Sequence, residues 1–94
     1  MNFHPVLQDP EICIVAAVKC DDGYIIRCHR HWLGIQTAEQ MKKKLFLGPD
    51  QQGFITSRGR YVGRAEGLKL QEEAGIPSKQ GNYTCHILFS EDLY

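Results

Sequence analysis

No stretch of the sequence approaches the ~20 consecutive apolar residues that a membrane-spanning helix needs. No basic n-region leads an apolar h-region, so no secretory signal is expected. Charge of one sign is also missing. Eleven Lys and Arg balance eleven Asp and Glu. That balance argues against a generic binder of the DNA backbone. There are no internal repeats and no low-complexity segment. The four cysteines lack the paired knuckle spacing of structural zinc sites. Without a secretory segment they read as reduced thiols, which places the protein in the cytoplasm. No strand-elbow motif surrounds a serine or cysteine, and no carboxylates pair where a cleft would form. No enzyme, metal or cofactor is therefore expected.

What is present fits one small domain spanning residues 1–94, with 1–10 as a loosely held leading segment. Chains this short bury roughly 60–65% of their unfolded surface, so the core is thin. A thin core and a near-zero net charge favour self-association. Ile12–Val18 (ICIVAAV) is a continuous apolar run of strand length, rich in β-branched residues. Asp21-Asp22-Gly23 then predicts a hairpin with a type I′ turn, leading to a second strand at Tyr24–Cys28. From Trp32 to Phe46 the pattern predicts a helix, with Leu33, Ala38, Met41 and Leu45 near one face and Lys42–Lys44 solvated. Thr37 is an alternative N-cap, and Gly48-Pro49-Asp50 ends the helix. Phe54–Thr56 and Arg60–Val62 flank Ser57-Arg58-Gly59 as a second hairpin with Gly59 in the left-handed region. Arg64–Ala74 is a helix stopped by Gly75. Gly67 weakens that helix by about 1 kcal/mol relative to alanine, unless it serves close packing. The sum is an α+β fold, a small antiparallel sheet with two packed helices.

The chemistry-bearing residues are mostly cations. Arg58, Arg60 and Arg64 fall within one hairpin and the start of a helix. A cation at Arg64 sits badly beside the positive end of the helix dipole, and a bound phosphate would resolve the conflict. Arg30 and His31 form a second basic cluster. Arginine binds phosphate bidentately, and Phe54, Tyr61 and Trp32 offer stacking surfaces. The opposing reading is that the arginines are solvated and Phe54, Tyr61 and Val62 are core. Cys28, His29, His31, Cys85 and His86 are zinc-type ligands without zinc spacing. Cys28 beside His31 is a weak candidate for an activated thiol.

Three segments, taken in order, resemble a known family. They are Ala16-Ala17-Val18 through Cys28-x-Arg30-His31, then Gln52-Gly53-Phe54-Ile55-Thr56 with Gly59-Arg60-Tyr61-Val62-x-Arg64-x-Glu66, then Leu88-Phe89-Ser90-Glu91-Asp92-Leu93-Tyr94. The chain is similar here to small phage and prophage proteins whose characterised members are Thoeris anti-defence signal sponges. Gly63 stands where that pattern usually has aspartate. The resemblance implies sequestration, without cleavage, of a cyclic ADP-ribose isomer made by bacterial TIR-domain enzymes. It also implies, for some members, capture of CBASS cyclic di- or trinucleotides at a separate site. The implied assembly is a homodimer, or a trimer of dimers, with the ligand pocket at the dimer interface. On that reading Arg60 and Arg64 contact phosphate, Phe54 or Tyr61 stacks on the base, and Arg30 and His31 reach in from the other protomer. Ser90, Glu91 and Asp92 orient hydroxyls or pair with the arginines. The alternative is a phage accessory module that binds protein, its arginines docking an acidic partner, with no nucleotide ligand.

Overall fold

The computed structural model describes residues 9–46, 48, 50–84 and 86–94, so most of the leading segment and Cys85 lie outside the described residues. The elements are β1 (Cys13–Lys19), β2 (Ile25–Cys28), α1 (His31–Gln40), β3 (Gln52–Thr56), β4 (Tyr61–Gly63), α2 (Arg64–Glu73) and the short α3 (Ser90–Leu93). The strands form one antiparallel sheet in the order β2-β1-β3-β4. The apolar run of β1 takes a central place, and Ala16, Ala17 and Val18 are buried on both faces of it. Ile14 sits at a register irregularity between Cys13 and Val15 and is exposed.

Both hairpins use the same three-residue loop. In the first, the Gly23 N–H donates to the Cys20 carbonyl (2.9 Å) and the Cys20 N–H to the Tyr24 carbonyl (2.8 Å). In the second, Gly59 donates to Thr56 (2.9 Å) and Thr56 to Arg60 (2.8 Å). Each loop ends on a glycine in the left-handed region, Gly23 at φ +90° and Gly59 at +79°. A type I′ turn would need positive φ at Asp22 as well, and Asp22 does not have it. The turn is therefore the longer kind. The Asp22 carboxylate accepts the Tyr24 N–H (2.9 Å) and steadies it.

Helix α1 is shorter than its periodicity suggests. It stops at Gln40, and Lys42 takes the left-handed position (φ +59°) where glycine is usual. The Lys43 N–H reaches back to the Ala38 carbonyl (2.9 Å) and the Lys42 N–H to Glu39 (3.0 Å). The cause is tertiary. The hairpin tip captures the chain beyond: the Asp21 N–H donates to the Lys44 carbonyl (2.9 Å), and the Lys43 ammonium binds Asp22 (2.8 Å). Thr37 is not an N-cap; mid-helix, its hydroxyl donates to the Leu33 carbonyl (2.9 Å). Helix α2 ends as its sequence dictates, at Gly75 (φ +73°), with Ile76 bonded to Gln71 and Gly75 to Glu72.

The helices share one face of the sheet. Cys13, Ala16, Phe54, Val62, Leu68 and Leu88 form the main core, joined by Leu93; Cys20, Ile26 and Ala38 form a second cluster under α1. Glycine makes this contact close. A Cβ on Gly34 would lie 2.7 Å from a Val18 methyl and 2.8 Å from the Cys28 sulfur. One on Gly67 would lie 3.2–3.3 Å from Cys13, Leu88 and Phe54. Gly67 thus gives up helix propensity for contact with the sheet. At one end, the Glu11 carboxylate takes both arms of Arg60 (2.8 Å each) and the Thr56 hydroxyl (2.5 Å). No helix among the described residues is long and apolar enough to cross a membrane.

Gly34→Val should lower stability by about 1–3 kcal/mol in urea denaturation, since the added methyls meet Val18 and Cys28 with no room to move. Arg60, then Thr56, hold the Glu11 carboxyl down at about 2. Its folded value lies below its unfolded one, so its contribution is complete above about pH 4.5 and is lost as pH falls towards 2. Acid unfolding curves should show that loss, reduced in Glu11→Gln.

Candidate functional site

Strand β4 runs directly into α2, so Arg64 occupies the first helical position at a corner of the molecule. The N-cap is Gly63, extended and without a side chain to accept the first-turn N–H groups. Beside it lies a cavity of about 330 Å³, lined by Asp50, Gly63, Arg64, Ala65, Glu66 and Ile87. Its back wall is pinned in two places. The Tyr61 hydroxyl donates to the Asp50 carbonyl (2.9 Å), and the Leu88 N–H donates to the Arg64 carbonyl (3.0 Å). The Arg64 guanidinium lies over the Phe89 ring, 5.7 Å from its centroid.

Arg64 differs from the other cations near the core. Arg60 binds Glu11 and also Glu66 (3.2 Å), Arg30 lies 3.9 Å from Glu91, and Lys43 binds Asp22. Among the described residues Arg64 forms no ion pair. A half-buried guanidinium beside an uncapped helix N-terminus is a place for an anion. The Asp50 and Glu66 carboxylates on the same cavity accept hydroxyl donors and limit how much negative charge it takes.

The structure separates the residues that the sequence groups together. Phe54 is fully buried and has no face open to a base. His31 is buried as well. Its Nε2–H donates to the Gly53 carbonyl (2.8 Å), and its ring meets the edge of Phe54 at 5.1 Å. Arg60 is committed to its two carboxylates, and Arg58 donates to the Asp9 carbonyl (3.1 Å). Ser90 is buried at the start of α3, whereas Glu91 is exposed. Tyr61 and Arg64 are brought to one corner. Arg30 and Glu91 fall in a second cluster built around Tyr94.

That second cluster locks the terminal segment. The Tyr94 hydroxyl accepts the Ala16 N–H (3.0 Å) and donates to the Cys28 carbonyl (3.2 Å), bridging two residues paired across β1 and β2. Its ring stacks on His29 at 4.4 Å, and Arg30 covers it and donates to the Tyr94 main-chain oxygen (2.8 Å). Asp92 is buried and pairs with no arginine. It accepts from the Phe89 N–H (2.9 Å), the Ser78 hydroxyl and the Gln80 amide (3.0 Å). Asp50, Ile87, Phe89 and Tyr94 escape sequence reasoning. Asp50 reads there as part of a helix stop, and the aromatic residues read as a terminal motif.

Among the described residues the thiols are poor nucleophiles. Burial pushes Cys13 up to about 12 and raises Cys20 and Cys28 as well. Cys28 packs against Gly34. Among the described residues, no three His, Cys, Asp or Glu side chains are grouped to hold a metal ion.

Burial lowers the His31 value below its ordinary 6.5, so the folded state keeps the ring neutral. The unfolded chain takes up that proton first. Stability should therefore decline as pH falls below about 6.5, and a His31→Gln variant should lose that part of the decline in thermal unfolding at pH 7 and pH 5.

The family model for Phage T4 y16D protein matches residues 12–94, almost the whole described chain. No curated protein and no solved structure matches. The match spans every strand and helix and both clusters around Arg64 and Tyr94, and on it the chain belongs to the Phage T4 y16D protein family, a family of phage proteins.

Proposed function

We propose that the protein is a non-enzymatic sponge that binds a cyclic ADP-ribose-type signal in the cytoplasm of the infected cell and withholds it from Thoeris defence. The observation that carries this reading is Arg64, a cation without a carboxylate partner among the described residues, set at the uncapped start of α2 on a 330 Å³ cavity. A diphosphate satisfies both the guanidinium and the first-turn N–H groups. The Asp50 and Glu66 carboxylates suit ribose hydroxyls. The raised thiols and the buried His31 supply no activated nucleophile or base at this corner, which favours holding over cleaving. A cyclic oligonucleotide of the CBASS type is the related ligand, and a homodimer, or a trimer of dimers, is the expected assembly.

The test is thermal unfolding with a panel of cyclic ADP-ribose isomers and cyclic di- and trinucleotides. A ligand at ~100 times its dissociation constant adds about 2.7 kcal/mol, a shift of more than ~10 °C for a domain of this size. The bound molecule should be recovered unchanged after the protein is denatured. Arg64→Ala should weaken binding by about 1.5 kcal/mol or more, the scale of a charge-assisted hydrogen bond. Affinity within twofold of wild type, or a cleaved product, defeats the reading.

A second reading, a protein-binding or assembly module, draws on the exposed apolar side chains. Phe46 is 86% and Trp32 58% exposed, with Ile14 and Tyr24 about half exposed. It expects no thermal shift with any nucleotide, and a change of molar mass in light scattering for a Trp32→Ser, Phe46→Ser variant.

A further inference from the structure

The two edges of the sheet are not equivalent. Strand β4 is three residues long, and Asp50 lies beside it, its carbonyl held by the Tyr61 hydroxyl (2.9 Å). Strand β2 forms the other edge, on the side of the sheet away from Arg64. Its pairing with β1 fixes which main-chain groups stay open. In an antiparallel ladder, residues that exchange hydrogen bonds alternate with residues whose N–H and C=O point the other way. The Cys20 N–H donates to the Tyr24 carbonyl (2.8 Å), so Tyr24 faces inwards. Two residues on, Ile26 faces Val18 in the same way, and then Cys28 faces Ala16. That last link runs through the Tyr94 hydroxyl, which accepts the Ala16 N–H (3.0 Å) and donates to the Cys28 carbonyl (3.2 Å). Ile25 and Arg27 fall between these pairs. Lys19, opposite Ile25, confirms the phase, because its N–H turns to the Gln51 carbonyl on the far side (2.8 Å).

The N–H and C=O groups of Ile25 and Arg27 therefore point out of the sheet, and among the described residues no hydrogen bond reaches them. Ile26 is buried under α1, so the side chains of Ile25 and Arg27 lie on the opposite face. Ile25 is 37% exposed, and Arg27 is exposed and forms no ion pair among the described residues. The hairpin loop at one end and Tyr94 at the other hold β2 extended. Such an edge needs little further ordering to receive a strand.

We propose that β2 is a docking edge for an extended segment of a partner protein, one that pairs antiparallel and sets a carboxylate against Arg27 and an apolar side chain against Ile25. The open main-chain groups supply the pairing, and the alternate side chains supply the selection. Charge decides between this occupant and a second copy of the chain. Only a twofold at Ile26 pairs both outward residues of two β2 strands, and it brings the two Arg27 side chains within reach of each other on one face. Like charges there oppose self-pairing, and a cation on an edge strand guards against it. A carboxylate on the incoming strand turns the same charge into an attraction. This inference is independent of the nucleotide reading, since Arg64 stands at the other edge, beyond β1 and β3.

The experiment is amide hydrogen exchange, followed residue by residue by NMR, on the whole protein with two blocked octapeptides. One is Thr-Glu-Thr-Val-Thr-Glu-Thr-Val, which presents Glu and Val on one face of a strand. The other carries Lys in place of Glu. With the acidic peptide at ~10 times its dissociation constant, exchange at Ile25 and Arg27 should slow about tenfold. Ile26, already turned to Val18, should change little, and the Lys peptide should protect none of them. Arg27→Glu should reverse the preference between the peptides, and Arg64→Ala should leave it as in wild type. No protection of Ile25 and Arg27 by the acidic peptide, or equal protection by both peptides, overturns the proposal. Slow exchange at these two amides in dilute protein alone also overturns it, because the edge is then already covered. Protection that grows with protein concentration without peptide, together with a doubled molar mass in light scattering, gives the edge to a second copy instead. Should Arg27→Glu unfold, Arg27→Gln serves: it should bind the two peptides alike, and a retained preference for the acidic one overturns the role of Arg27.

Discussion

Two helices of ten residues can stabilise a four-stranded sheet only if they come very close to it. Gly34 and Gly67 make that approach possible, because Gly34 leaves no room for one more carbon and Gly67 leaves only a tight fit for one. A core this thin gains little from area alone, so contact density has to supply what volume cannot. The loss of helix propensity at the two glycines, about 1 kcal/mol each, is offset by the packing of Val18, Cys28, Phe54 and Leu88 against bare backbone. The same close approach fixes what stands before each glycine. His31 lies one turn ahead of Gly34 and is pressed onto the Gly53 carbonyl. Arg64 lies one turn ahead of Gly67 and is left at the corner of the sheet.

The charges divide between holding the fold and facing outwards. Arg60 and Glu11 are bidentate partners from segments 49 residues apart, and they tie the chain before β1 to the second hairpin. Tyr94, covered by Arg30, acts at the middle of β1, where its phenol links Ala16 and Cys28, paired residues of β1 and β2, through their main chains. Asp92 fastens the loop at Ser78 and Gln80 to α3. After these commitments, Arg64 at the cavity is a cation without a carboxylate partner among the described residues. A net charge of zero therefore conceals how unevenly the charges are paired, which is why whole-chain charge is a poor guide to the ligand of so small a protein.

The helices lie on one face of the sheet, yet Ala17, Gly53 and Ile55 on the other face are buried as well. Gly53 shows why glycine stands in that strand: a Cβ there would meet the Val62 main-chain oxygen at 2.1 Å and the end of the Tyr61 ring at 2.7 Å.

Local signals determined a good part of the fold. The apolar run of β1, the two Gly-ended turns and the length of α2 follow from interactions within a few residues, and all stand in the structure. The α+β class follows from their order. Tertiary contact decided the rest. Helix α1 stops early because Asp21 and Asp22, about twenty residues away, hold Lys44 and Lys43. The sequence groups Arg58, Arg60 and Arg64 as one anion site, yet Arg60 turns to Glu11 and only Arg64 faces the cavity. Phe54 and Tyr61 are equal stacking candidates on paper. Their strand positions send one into the core and lay the other across Gly53. A residue's chemistry is written in the chain, but its partner is a matter of register and distance, and those are set only when the sheet and helices close on one another.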